Sequence, residues 1–153
     1  MTPAHQAALD AFLDLIAERG FAAVTLRDVA QAANLGLADL YRLYPDKTAL
    51  VAAFVARVDA EVLSGTPRQS DPEETARDRL FDTMMRRYDA LRPHRAALRA
   101  IGGAFRRDPL LMLGLGPALR RSMAAMLAWV WVSSTSRAAT VTSPNISPSA
   151  LLT

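Results

Sequence analysis

The chain has 153 residues, 51% hydrophobic and 22% charged, with two histidines and no cysteine. This is one ordinary domain's length with enough apolar material for a core, which excludes wholesale disorder, a disulfide scaffold, thiolate metal sites and a cysteine nucleophile. The net charge of +3 is unevenly placed: residues 1–64 hold five basic groups against eight acidic ones, and residues 65–153 hold thirteen against seven.

In chain order, the first predicted element is a helix over Gln6–Arg19. Leu9, Phe12, Leu13 and Ile16 recur at i, i+3, i+4 and i+7, while Asp10, Asp14 and Glu18 take the opposite face. Gly20 ends it. Thr25-Leu26-Arg27-Asp28 reads as a capping box, with Asp in the Glu/Gln place, opening a short helix to Ala33. Asn34 is the residue best suited after glycine to a left-handed turn position. A third helix is predicted over Leu37–Leu43. Tyr44-Pro45-Asp46 stops it and caps a fourth, Lys47 to about Leu63, with Leu50, Phe54 and Val58 along one face.

Ser64–Pro72 is a polar, turn-rich linker. A helix over Glu73–Leu91 follows, with Ala76, Leu80, Met84, Tyr88 and Leu91 on one face. Another begins at Pro93 and runs through Leu98, Ile101 and Phe105, with Gly102-Gly103 weakening its last turns. A further helix is predicted from near Pro117, carrying Leu119, Met123, Met126, Leu127 and Val130. Nothing alternates with period two for long enough to be a strand. The segment 133–153, rich in Ser, Thr and Pro without helical period, reads as a disordered tail. The expected fold class is therefore all-α, in segments 1–63, 73–132 and 133–153.

The N-terminus has no basic patch followed by an apolar run, and Met123–Val132 is about half of the roughly 20 residues that a bilayer span needs. The expectation is a soluble, cytoplasmic protein. No nucleophile–base pair, Gly-rich phosphate loop or metal-ligand spacing is written in the chain, so a non-enzymatic protein without cofactor or metal is expected.

Three short helices in the first 60 residues, the second and third joined by a tight turn at about 34–36, suggest a helix-turn-helix. Gly20-Phe21, Thr25-Leu26, Val29-Ala30, Ala33, Leu40-Tyr41-Arg42, Tyr44-Pro45 and Lys47-Thr48-Ala49-Leu50 stand in the order and spacing of a known pattern. Over residues 5–58 the chain resembles the N-terminal domain of the tetracycline-repressor (TetR) family. The resemblance implies a one-component transcriptional regulator that lays its 37–43 recognition helix in the major groove of double-stranded DNA. It also implies a C-terminal helical domain that binds a small molecule and forms a homodimer.

Carried over by position, the resemblance assigns DNA contacts to Thr25, Arg27, Leu37, Ala38, Asp39, Tyr41, Arg42, Tyr44 and Lys47. Thr25 would touch a phosphate while capping its helix, Tyr41 and Lys47 would contact the backbone, and Arg42 a base edge or phosphate. Competing roles stay open: Thr25 caps a helix without DNA, the Tyr41 ring can pack in the core, and Lys47 can be merely solvated. A small apolar ligand would be held in an adaptable pocket of Met84, Met85, Tyr88, Leu98, Phe105, Met112, Met123, Met126 and Trp129. The same stripe is ordinary core in most helical bundles.

Departures from the family pattern concern the reading surface. Gly36 supplies no hydroxyl cap, Leu37 and Ala38 can touch a thymine methyl but cannot read donors and acceptors, and Asp39 would be repelled by phosphates. Leu43 stands where a polar or aromatic group is common. The acidic first domain also weakens the counterion-release contribution to DNA affinity. Members usually close with two further long helices that dimerise, whereas here the helical pattern stops near Val132.

An alternative reading follows from these departures. Arg77–Asp82, Met85–Leu91 and Pro93-His94-Arg95 are similar to accessory proteins of ubiquinone biosynthesis, which keep a TetR-like fold but bind lipid or isoprenoid. In that reading the arginines between Arg77 and Arg107 face an anionic membrane surface. Otherwise they pair with Asp78, Asp82 and Asp89 on solvated helix faces.

Overall fold

The computed structural model describes residues 2–65 and 75–135; within its helices the side chains of Ala76, Pro109, Leu111, Met112 and residues 129–135 are excepted. Seven α-helices and one 3-10 turn make up the described chain: α1 (Pro3–Arg19), α2 (Leu26–Ala32), α3 (Leu37–Leu43), α4 (Lys47–Ser64), α5 (Ala76–Leu91), the turn Arg92–His94, α6 (Arg95–Arg107) and α7 (Pro109–Thr135). No strand occurs among the described residues, and the all-α expectation holds.

Helix ends follow the local chemistry. Pro3 occupies the first turn of α1, where its missing N–H is no loss, and Gly20 closes the helix at φ 81°, donating its N–H to the Ile16 carbonyl at 3.0 Å. Thr25 and Asp28 form the expected reciprocal capping box of α2. Asp46 caps α4 by accepting from the Ala49 N–H at 2.7 Å. A second capping box, Thr75 with Asp78, opens α5.

Two readings of the second half change. Gly102 and Gly103 do not fray α6, which continues to Arg107. The last helix does not start near Pro117: it begins at Pro109 and carries Pro117 in its interior. An interior proline removes one N–H donor and crowds the carbonyl four residues earlier, and the burial of Leu115 in the core favours the helix across it. The first residues of the 133–153 segment continue α7 to Thr135; the rest of that segment, and most of the 64–72 linker, lie outside the described residues.

One hydrophobic core runs through both halves. Leu9, Phe12, Leu13 and Ile16 of α1 meet Val29 of α2, Leu40 of α3, and Leu50 and Phe54 of α4. Ala97 and Ile101 of α6 and Leu115 of α7 join the same cluster. The shared helix is α4. Its first turns close the three-helix head and meet α7 at Thr48, and the rest of the helix packs on α5 and α7. At the α4–α7 crossing, a Cβ at Gly114 would lie 3.4 Å from Thr48 Cγ2, so this turn of α7 sits close against the first turn of α4.

Candidate nucleic-acid interface

The turn between α2 and α3 is built by backbone hydrogen bonds and one left-handed residue. The Leu35 N–H donates to the Ala30 carbonyl at 2.9 Å and the Asn34 N–H to the Gln31 carbonyl at 3.2 Å. Asn34 has φ 53°, the conformation expected of it from the sequence. Leu40 is fully buried beneath α3, with Leu37 and Leu43 packed at the margin of the core. Leu43 thus serves as an apolar anchor, which accounts for its departure from a polar residue.

The outer face of α3 consists of Ala38, Asp39, Tyr41 and Arg42, all exposed. Tyr41 is 50% exposed, which removes it from the core. Arg42 pairs with Asp39 at 2.9 Å within the same helix. Gly36, at the start of α3, has a physical role: a Cβ there would lie 2.7 Å from Asp39 Oδ2. The Asp39 carboxylate therefore folds back over the first turn, where the helix dipole favours it.

On α2, Arg27 is exposed. Thr25 is exposed as well but is engaged by Asp28: its Oγ1 donates to Asp28 Oδ2 at 2.6 Å and accepts from the Asp28 N–H at 3.2 Å. The Thr25 hydroxyl, and then its backbone N–H, hold the Asp28 carboxyl below the ordinary carboxylate range.

Two residues expected at the duplex are turned inward. Tyr44 is 5% exposed, stacks edge-on against His5 at 5.6 Å and directs its hydroxyl at the His5 carbonyl, 3.4 Å away. Burial pushes its phenol pKa up. It belongs to the head's core. Lys47 Nζ donates to the Phe21 carbonyl at 2.8 Å and the Val24 carbonyl at 3.0 Å, and lies 4.6 Å from the centre of the Phe21 ring. Burial lowers its pKa. Its charge ties the α1–α2 loop to the start of α4.

The residues expected around a ligand are spread apart in exposure. Met84, Tyr88 and Met123 are exposed, Leu98 and Phe105 are half-buried, and Met126 is buried, whereas the Trp129 side chain lies outside the described residues. His94 packs edge-on against Phe54 at 5.1 Å. A polar junction unmarked by any local motif sits beside Met126. Arg87 donates to Asp59 at 2.5 Å, to Ser122 Oγ at 3.1 Å and to Met126 Sδ at 3.3 Å, while Ser122 donates to Asp59 at 2.9 Å. It locks α4 to α5 and α7.

Residues 8–54 match the model of the bacterial regulatory proteins of the tetR family. Solved structures with the same fold include a putative TetR-family transcriptional regulator from Rhodococcus sp., with 21% identity and TM-score 0.59 over 96% of this chain and 78% of that one. A TetR transcriptional regulator from Rhodococcus sp. RHA1 is 25% identical, with TM-score 0.59 over 83% of this chain and 68% of its own. The flavonoid-responsive regulator FrrA is 21% identical, with TM-score 0.57 over 88% of this chain and 69% of its own. Among curated protein sequences, none matches the chain.

Proposed function

Because the chain carries the N-terminal domain of the tetR family within the fold of TetR-type regulators, we propose that it is a DNA-binding transcriptional regulator. Residues 1–63 form the reading head, and α3 lies in the major groove of double-stranded DNA. The observation that carries this reading is the geometry of α3: Leu40 is fully buried beneath it, while Tyr41 and Arg42 stand exposed on its outer face.

Leu37 and Ala38 offer apolar contact at the N-terminal end of α3, suited to thymine methyl groups. Tyr41, Arg27 and the Thr25 cap supply positioning contacts to phosphate. Lys47 and Tyr44 maintain the head's shape instead of touching DNA. Residues 73–132 form the regulatory part. The likeness to a flavonoid-responsive regulator supports control by a small molecule, and the exposed apolar residues of α5 and α7 support self-association into a homodimer. The protein acts in the cytoplasm, in accord with the absence, among the described residues, of a helix long and apolar enough to cross a membrane.

Fluorescence anisotropy tests the proposal, using duplexes from the DNA flanking the chain's own coding sequence and unrelated duplexes of equal length, at stepped salt concentrations. The expected result is tighter binding to one flanking duplex, weakening as salt rises. Folded protein that binds no duplex even at low salt would overturn the reading.

A further inference from the structure

A cleft of about 630 Å³ opens between the reading head and α6. On the head side it is lined by Arg19, the loop Gly20–Ala23 and Lys47. On the other side it is lined by Arg99, Ala100, Gly103, Ala104, Arg107 and Asp108. None of these residues belongs to the α5–α7 stripe in which a ligand was expected from the sequence. The volume lies within the range of small-molecule sites.

The chemistry of the lining is specific. Phe21 and the alanines give an apolar floor, and four cationic side chains face a single carboxylate, Asp108. Among the described residues neither Arg99 nor Arg107 has an ion-pair partner. Lys47 is half-buried, and its partners are two neutral carbonyl oxygens and the Phe21 ring. Its ammonium has three N–H donors, so one is left after those two bonds. A half-buried cation without a counter-charge, in an apolar cleft rimmed by guanidinium groups, is complementary to an anion with a flat apolar body.

We propose that this cleft binds an aromatic carboxylate, its ring on the floor of Phe21, Ala100 and Ala104 and its carboxylate toward Lys47, Arg99 and Arg107. The occupant bridges α1 and α4 of the head to α6. Gly103 keeps the cleft open, since a Cβ there would meet nothing within 4 Å. The site is defined on the free protein and does not rest on DNA binding.

The test is calorimetric titration of the full chain with 2-naphthoate and with its neutral analogue 2-naphthalenemethanol. Naphthoate is expected to bind, and the alcohol to bind about tenfold or more weakly. Gly103→Leu fills the cleft with a better helix former, so it folds and loses naphthoate binding. Gly102→Leu makes the same change next to the cleft lining, where a Cβ also meets nothing within 4 Å, and binds as the parent does. Arg99→Gln weakens naphthoate and leaves the alcohol unchanged. Absence of naphthoate binding, equal binding of the alcohol, or full binding by Gly103→Leu would each overturn the proposal. So would an Arg99→Gln protein that loses affinity for duplex DNA but keeps its affinity for naphthoate, since the cations would then be a duplex contact.

Discussion

Asp39 and Arg42 neutralise each other on the exposed face of α3, 2.9 Å apart and one turn from each other. An exposed pair of this kind contributes little to folding, at most about 1 kcal/mol. Its larger consequence, under the proposed function, is for DNA: the one arginine on that face is partly cancelled, and a carboxylate stands beside it. Asp39→Asn is therefore expected to free Arg42, raise affinity for an unrelated duplex and steepen the log affinity–log salt slope by about one contact. Asp39→Lys is expected to do more. Anisotropy at stepped salt checks both, and an unchanged slope in both would mean that α3 does not dock on the backbone.

Leu40 is the anchor of that helix. It is fully buried beneath α3, so Leu40→Ala leaves a cavity between α3 and the head's core and is expected to cost about 3 kcal/mol in chemical denaturation. DNA binding at a temperature where the variant stays folded is expected to weaken as well, because the outer face loses its support. A cost below about 1 kcal/mol would show that the head tolerates a loose α3.

The head was legible in the sequence because its signals are local. Leu9 to Ile16 give the helix period, Thr25 with Asp28 the cap and Asn34 the turn, and each depends on neighbours within a few residues. What was not legible depends on distant partners. Nothing beside Lys47 announces that its ammonium meets carbonyls 23 and 26 residues earlier, and nothing beside Tyr44 announces His5. Pro117 misled for the opposite reason: a strong local breaker was outweighed by tertiary burial around Leu115. Half of the lining of the cleft between α1 and α6 is Ala and Gly, which carry no motif, and its four cations come from three helices far apart in the chain, α1, α4 and α6.

The Asp59–Arg87–Ser122 junction is the clearest long-range element, joining α4, α5 and α7 with both charged side chains mostly out of water. Removing one partner of such a pair leaves the other as an uncompensated, largely buried charge. Asp59→Ala is expected to destabilise by about 3 kcal/mol, Ser122→Ala by about 1, and the double variant by less than their sum. Denaturation of the three proteins checks this. Additive effects would show that the serine acts independently of the ion pair.

Acid unfolding supplies the last prediction. Asp28 and Asp78 each accept from a threonine hydroxyl and backbone N–H three residues earlier, and both carboxyls are held below the ordinary value of 3.8. A depressed carboxylate pKa means that its stabilising contribution is complete above the unfolded value and is lost as pH falls through the folded one. Thermal melts are therefore expected to be level near neutrality with respect to these two caps and to fall below about pH 4. In Asp28→Asn, Asp78→Asn the protein is expected to start less stable at neutral pH and to lose less on acidification. Thr25→Ala tests the same bond from its other end, since it removes the hydroxyl that depresses Asp28, so the acid-dependent loss shrinks while the carboxylate stays in place. An acid profile identical in all three proteins would mean that other groups, not the helix caps, set the low-pH limit.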